Sequence, residues 1–139
     1  MSRPPRCIDC RDEGVTTKRD APHPGPRCTT HHRRVVAARK QRAHALHVER
    51  TYGITAGEYQ TLLEVQGGRC AICERATGKT RRLAVDHDHE TGLVRGLLCK
   101  PCNRMLGHGR DEAAFFRRAY DYLLVSPAKA AGIVRKVPL

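Results

Sequence analysis

The sequence predicts a small α+β protein stabilised by zinc, with a loop-rich N-terminal module, a basic linker helix and a metal-anchored β-hairpin core. Three observations predict this class. The 139 residues include two Phe, four Tyr and no Trp, so the side chains that bury most area are scarce. A small chain with a thin core adds disulfides or structural metal. Six of the seven cysteines fall in C-x-x-C pairs (Cys7/Cys10, Cys70/Cys73 and Cys99/Cys102), a spacing that chelates one zinc ion. Two short apolar runs, Leu83–Asp86 and Leu93–Leu98, flank the turn sequence Glu90-Thr91-Gly92, which reads as a hairpin.

The elements follow in order along the chain. Residues 1–32 form a zinc-ribbon-like module, interrupted by Pro22, Pro24 and Pro26. Cys7 and Cys10 are followed by Cys28 and then by His31 and His32. Three thiolates and one imidazole complete a zinc set, and His31 is preferred because its spacing from Cys28 repeats that of the other pairs. Residues 33–51 (RRVVAARKQRAHALHVERT) contain no Gly or Pro and are rich in helix formers. Their apolar stripe is thin, so this helix is a basic linker whose arginines, Arg39 and Arg42 among them, contact phosphates. Residues 52–126 are the main domain. Thr55-x-x-Glu58 opens a short helix, with Tyr59, Leu62 and Leu63 as its apolar positions and Gly67-Gly68 as its stop. After the hairpin, Pro101 starts a helix that carries Asn103 and ends at Gly107. Asp111 caps a last helix over 112–125, whose Phe115, Phe116, Tyr120, Leu123 and Leu124 face either the 55–66 helix or a second copy. Residues 127–139 are a tail without a strong pattern.

Charge narrows the function. Lys and Arg number 26 against 14 Asp and Glu, a formal charge of +12, and the isoelectric point is near 9.9. A soluble basic chain of this size points to nucleic acid. No apolar run approaches the roughly 18 residues of a membrane span, and MSRPPRCIDC has no apolar stretch of a secretory signal. The expectation is a chain that is neither membrane-bound nor secreted, in a reducing cytoplasm where thiols bind metal rather than pair.

The candidate chemistry lies between two cysteine pairs. Cys70-x2-Cys73-x25-Cys99-x2-Cys102 closes a four-thiolate shell, which is structural rather than catalytic. Within it, Asp86 is a hard oxygen donor suited to Mg²⁺, and His87 beside it is a general-base candidate near neutral pH. Asn103 directly follows Cys102, so a zinc there fixes its position. Its amide oxygen can complete a Mg²⁺ site or hold the imidazole. Strand alternation puts Asp86 and Asp88 on one face and His87 and His89 on the other, and a bulge near the strand end lets Asp86 and His87 converge.

These residues carry a resemblance. YGITAGEYQTLL, then GGRCAIC, then LAVDHDHETGLVRGLLCKPCNRMLG resemble the phage recombination endonuclease VII family, within the HNH (His-Me finger) nucleases. The resemblance runs from Tyr52 to about Leu124. It implies a ββα-metal core in which zinc holds the hairpin to the helix. It implies Mg²⁺ (or Mn²⁺) at Asp86 and Asn103, His87 as general base, and His89 as a further active-site residue contacting phosphate. It implies DNA as partner and the cytoplasm of an infected bacterium as the place of action. The N-terminal zinc module looks like an addition found in actinobacteriophage relatives. The junction-cleaving member has a Glu three residues past the motif Asn and a long C-terminal region; here Leu106 stands at that position and the long region is lacking, so nuclease is a safer reading than junction resolution. A homodimer is required only for a four-way junction, which needs two active sites. Arg95, Lys100 and Arg104 are the phosphate-contact candidates of this domain. The rival reading is a zinc-bound nucleic-acid-binding protein without catalysis. It explains the charge and both zinc sets but not the grouping of Asp86, His87 and Asn103.

Overall fold

The computed structural model describes residues 5–16, 19–133 and 135–136. The outer ends of the N-terminal module and of the tail lie outside them. The chain divides into two compact units, residues 1–56 and 57–139. Among the described residues no helix is long and apolar enough to cross a membrane.

The buried cluster of the first unit is built around cysteines, and Val48 on the long helix is that unit's one buried large aliphatic among the described residues. A short helix, α1 (Ile8–Asp12), follows Cys7. The chain then returns through the bridge Arg6–Asp20 and a tight loop closed between His23 and Arg27. The buried cluster is Cys7, Cys10, Ala21 and Cys28, with Val15 packed on it. His31 is also buried. A core of this composition supplies little hydrophobic stabilisation, since a buried large aliphatic contributes about 1.5–3 kcal/mol and the buried cluster holds none. The long helix α2 (Thr29–Tyr52) starts directly after Cys28. It begins four residues before the expected 33–51 helix, which places His31 in its first turn. Gly53 ends it in the left-handed conformation, with its N–H bonded to the Glu49 carbonyl.

The second unit contains the hairpin. Helix α3 (Ala56–Val65) stops where Gly68 N–H bonds Leu63 C=O and Gly67 N–H bonds Glu64 C=O, a Schellman ending with left-handed Gly67. Strands β1 (Ala84–His87) and β2 (Val94–Leu98) pair antiparallel as a two-stranded sheet. Leu83, Val85, Leu97 and Leu98 are buried beside Cys70 and Cys102. Helix α4 (Lys100–His108) begins with Pro in its first turn and packs against β1. Helix α5 (Ala113–Leu124) and the one-turn α6 (Pro127–Ala130) complete the chain.

Three expectations change here. Helix α4 runs through Gly107 to His108, and Gly109 takes the cap position. Asp111 does not cap α5: Glu112 occupies that position, with no side-chain cap bond. The apolar face of α5 is not core, because Phe115, Tyr120, Leu123 and Leu124 are exposed.

Candidate active site

Two sets of ligand-type side chains converge, one in each unit: Cys7, Cys10, Cys28 and His31, and Cys70, Cys73, Cys99 and Cys102. Within each set the ligand atoms lie within 4.8 Å of one another. A tetrahedral zinc with sulfur at about 2.3 Å spaces its sulfurs about 3.8 Å apart. Cys10 and Cys28 sulfurs are 3.8 Å apart, as are those of Cys73 and Cys99. His31 Nδ1 stands 3.2, 3.3 and 3.4 Å from the sulfurs of Cys7, Cys10 and Cys28. His32 is outside the set and stacks on His23, with ring centroids 4.2 Å apart.

The thiol acidities fit a cation at each centre. Burial pushes the Cys7 thiol up, but the backbone amides of Cys28 and Cys10 and the His31 ring bring it down to about 6. Cys73 is held at about 6 by the amides of Ala76 and Arg75. In contrast, burial and the neighbouring sulfurs push Cys10 up to about 11 and Cys102 up to about 12. Three or four thiolates do not gather without a positive charge between them, and a zinc ion would provide it. His31 Nε2 bonds Glu13 at 3.0 Å, and Glu13 also pairs with Arg34. That carboxylate fixes the ring so that Nδ1 faces the sulfurs. Arg34 and His31 together hold the Glu13 carboxyl below its usual range. Nothing in the spacing of the cysteines pointed to Glu13.

The hairpin carries the second constellation. The strand register slips between Asp86 and His87: Asp86 opposes Gly96, while His87 opposes Val94. Arg95 is therefore the extra residue of a bulge, a device that re-aims side chains at a strand end. Its guanidinium forks onto Asp86, with Nε donating to Oδ2 at 2.8 Å and Nη2 to Oδ1 at 3.2 Å. Asp86 is 5% exposed, and a carboxylate buried that deeply needs a cation beside it. Asp88 lies on the same side, 3.9 Å from Arg95. Its Oδ1 accepts from the backbone amides of Glu90 and Thr91, which tightens the turn and holds its carboxyl low. His87 is half-buried, and its ring lies 4.9 Å from that of His89. Asn103 is half-buried on α4, one residue past Cys102.

Asp111 joins the two faces. Its Oδ2 accepts from His89 Nδ1 at 2.6 Å, and its Oδ1 accepts from Arg95 Nη2 at 3.1 Å. Both partners hold its carboxyl below the usual range, and Asp86 and Asp111 raise Arg95 above its own. Asp111 lies 16 residues from Arg95 and 22 from His89, so no local pattern reveals it. The other basic candidates, Lys100 and Arg104 on α4 and Arg39 and Arg42 on α2, are exposed.

The sequence profile of recombination endonuclease VII matches residues 45–125. The chain belongs to the recombination endonuclease VII family. The gene 59 proteins of Mycobacterium phages L5 and D29 are each 54% identical to it over 123 residues, covering 88% of this chain. The match spans 75% of the L5 protein and 74% of the D29 protein. It is longer than the stretch from residue 45 to the C-terminus, so these relatives share at least part of the N-terminal unit. The endonuclease VII match itself takes in the four-cysteine set, the hairpin and Asp111. Membership of this family implies a nuclease.

Proposed function

We propose that this endonuclease VII family member is a metal-dependent endonuclease that hydrolyses DNA phosphodiester bonds on a ββα-metal (HNH) framework. The observation that carries the reading is Asp86: a buried carboxylate at the bulged end of a hairpin, adjacent in sequence to His87 and on the strand that packs against α4. The fork from Arg95 marks this as a position that demands positive charge. Carboxylate and amide oxygens are the donors Mg²⁺ takes, so Asp86 and Asn103 suit that ion. The two cysteine sets act structurally, as closed zinc shells do.

Mg²⁺ held by Asp86 and Asn103 would supply a Lewis acid that offsets the negative charge of the reacting phosphate. His87 takes the proton from the attacking water, a contribution of about 10²–10⁴-fold. His89, its Nδ1 committed to Asp111, presents Nε2 toward phosphate. Lys100 and Arg104, with Arg39 and Arg42, meet the DNA backbone without reading sequence, each steepening the salt dependence by about 0.9 in log–log slope. Branched DNA is one substrate class this reading admits, and a four-way junction would require two copies.

The test is cleavage of supercoiled plasmid with Mg²⁺ by zinc-loaded wild type, Asp86→Ala and His87→Ala at equal zinc content. Cutting by the wild type alone is expected. Cutting by His87→Ala at full rate removes His87 from the mechanism. A wild type that binds but cuts neither plasmid nor four-way junction DNA leaves the non-catalytic binding protein as the better reading.

A further inference from the structure

Arg95 raises a problem for the reading above, on which this inference rests. Its guanidinium occupies both oxygens of Asp86, the carboxylate assigned to the divalent cation. A cation so placed competes with the metal for lone pairs and repels it. One group shares that guanidinium: Asp111, whose Oδ1 takes the same Nη2 at 3.1 Å that reaches Asp86 at 3.2 Å. Asp88 is a poor alternative anchor, since its Oδ2 stands 3.9 Å from Arg95 Nη1, beyond hydrogen-bond reach.

The loop that delivers Asp111 is built for the purpose. Asp111 N–H bonds the Leu106 carbonyl and Arg110 N–H that of Gly107, the two bonds of a Schellman ending. Both Arg110 and Asp111 hold left-handed backbones, with φ of 52° and 58°. Side-chain-bearing residues rarely adopt that conformation, and strain retained in a folded chain clusters at functional sites. The result turns the Asp111 carboxylate back onto the hairpin rather than leaving it at the start of α5.

We propose that Asp111 is a positioning residue for the nuclease reaction. It shares the Nη2 donor with Asp86 and offsets the guanidinium charge, so that the remaining lone pairs of Asp86 stay available to the divalent cation. Through its other oxygen it fixes His89 with Nδ1 inward. Outer carboxylates of this kind typically change metal affinity or activity about 10–100-fold when removed.

The experiment measures Mn²⁺ binding to the zinc-loaded full chain, from the loss of the free Mn²⁺ electron paramagnetic resonance signal. It uses wild type, Asp111→Asn, Arg95→Gln and the double variant, with zinc content and Tm as controls. Asp111→Asn is expected to weaken Mn²⁺ binding about 10–100-fold and to lower kcat on DNA with KM little changed. Arg95→Gln, which removes the competing cation, should bind Mn²⁺ more tightly than wild type. In that background Asp111→Asn should cost much less, because its effect runs through Arg95. Asp111→Asn binding Mn²⁺ as tightly as a wild type that cuts DNA overturns this inference alone, as does an equal loss in both backgrounds. If Asp111→Asn fails to fold, the Arg95→Gln arm decides: binding no tighter than wild type overturns it. A wild type that neither binds Mn²⁺ nor cuts removes the nuclease reading itself.

Discussion

Leu97 is fully buried, and a single side chain from outside the hairpin holds its backbone. Gln66 Oε1 accepts from Leu97 N–H at 2.8 Å, while Gln66 Nε2 donates to the carbonyls of Leu97 and Arg69, each at 2.8 Å. It pairs the open edge of β2 together with Ala71 N–H, which donates to the same Leu97 carbonyl at 3.2 Å, and Gln66 alone takes the Leu97 N–H. Gln66→Leu leaves a buried N–H orphaned, a cost of about 1–3 kcal/mol. Tm should fall by at least about 4 °C, and the Leu97 amide should lose hydrogen-exchange protection. A second residue-scale expectation concerns acid. The Asp111 carboxyl is depressed by His89 and Arg95, so its contribution to stability is complete above the ordinary carboxylate pKa of about 3.9 and is lost as pH falls through the depressed value. Asp111→Asn should therefore flatten the acid limb of a stability–pH curve relative to wild type while leaving its neutral region parallel. Gln66 and Asp111 both escaped the sequence for one reason: their partners lie 31, 16 and 22 positions away, beyond any local spacing rule.

At the scale of elements, the ends of α3 and α4 make the same pair of backbone bonds with different residues at the left-handed position. Gly67 fills it after α3 and Arg110 after α4. A residue with a Cβ pays about 1–2 kcal/mol there, so Arg110→Gly should raise Tm. The neighbouring position has the opposite sign. A Cβ on Gly109 would stand 2.3 Å from Phe116 Cζ and 2.9 Å from Phe115 Cδ1, and overpacking of this kind costs about 1–3 kcal/mol. Gly109→Ala should lower Tm and, by shifting the loop that carries Asp111, weaken Mn²⁺ binding as well. Thermal unfolding of the two variants side by side checks both signs. The sequence marked Gly107 as the stop because glycine ends helices, yet the turn closes two residues later. Backbone bonding around Gly109, rather than glycine content alone, sets that boundary.

The whole molecule depends on its two cysteine sets unequally. In the first unit the buried cluster is three cysteines and Ala21, beside His31, and Val48 on α2 is the one buried large aliphatic among its described residues. In the second, four aliphatic side chains share the interior with Cys70 and Cys102. Each set should hold one zinc, about two per chain. Cys10→Ser and Cys102→Ser should each lower the count to about one, read by atomic absorption. Chelation should unfold the first unit fully, since metal binding there is most of its folding free energy. The second unit should keep part of its far-ultraviolet signal and lose its cooperative transition. Equal resistance of both units to chelator would show that the cysteines of the first are not its core.

The sequence alone determined what short-range chemistry encodes. Ligand type and spacing marked both cysteine sets, apolar alternation marked the hairpin, and the grouping of Asp86, His87 and Asn103 carried the family resemblance. These are properties of neighbours along the chain or of repeated spacings, so they can be read without coordinates. Tertiary structure decided the rest. A register slip made Arg95 the extra residue of a bulge and paired its guanidinium with Asp86. A left-handed loop took Asp111 from the start of α5 to the hairpin. Glu13 reached His31 across 18 residues. Each is a choice of charged partner made after the backbone has folded, when burial and geometry, rather than sequence distance, set which charges meet.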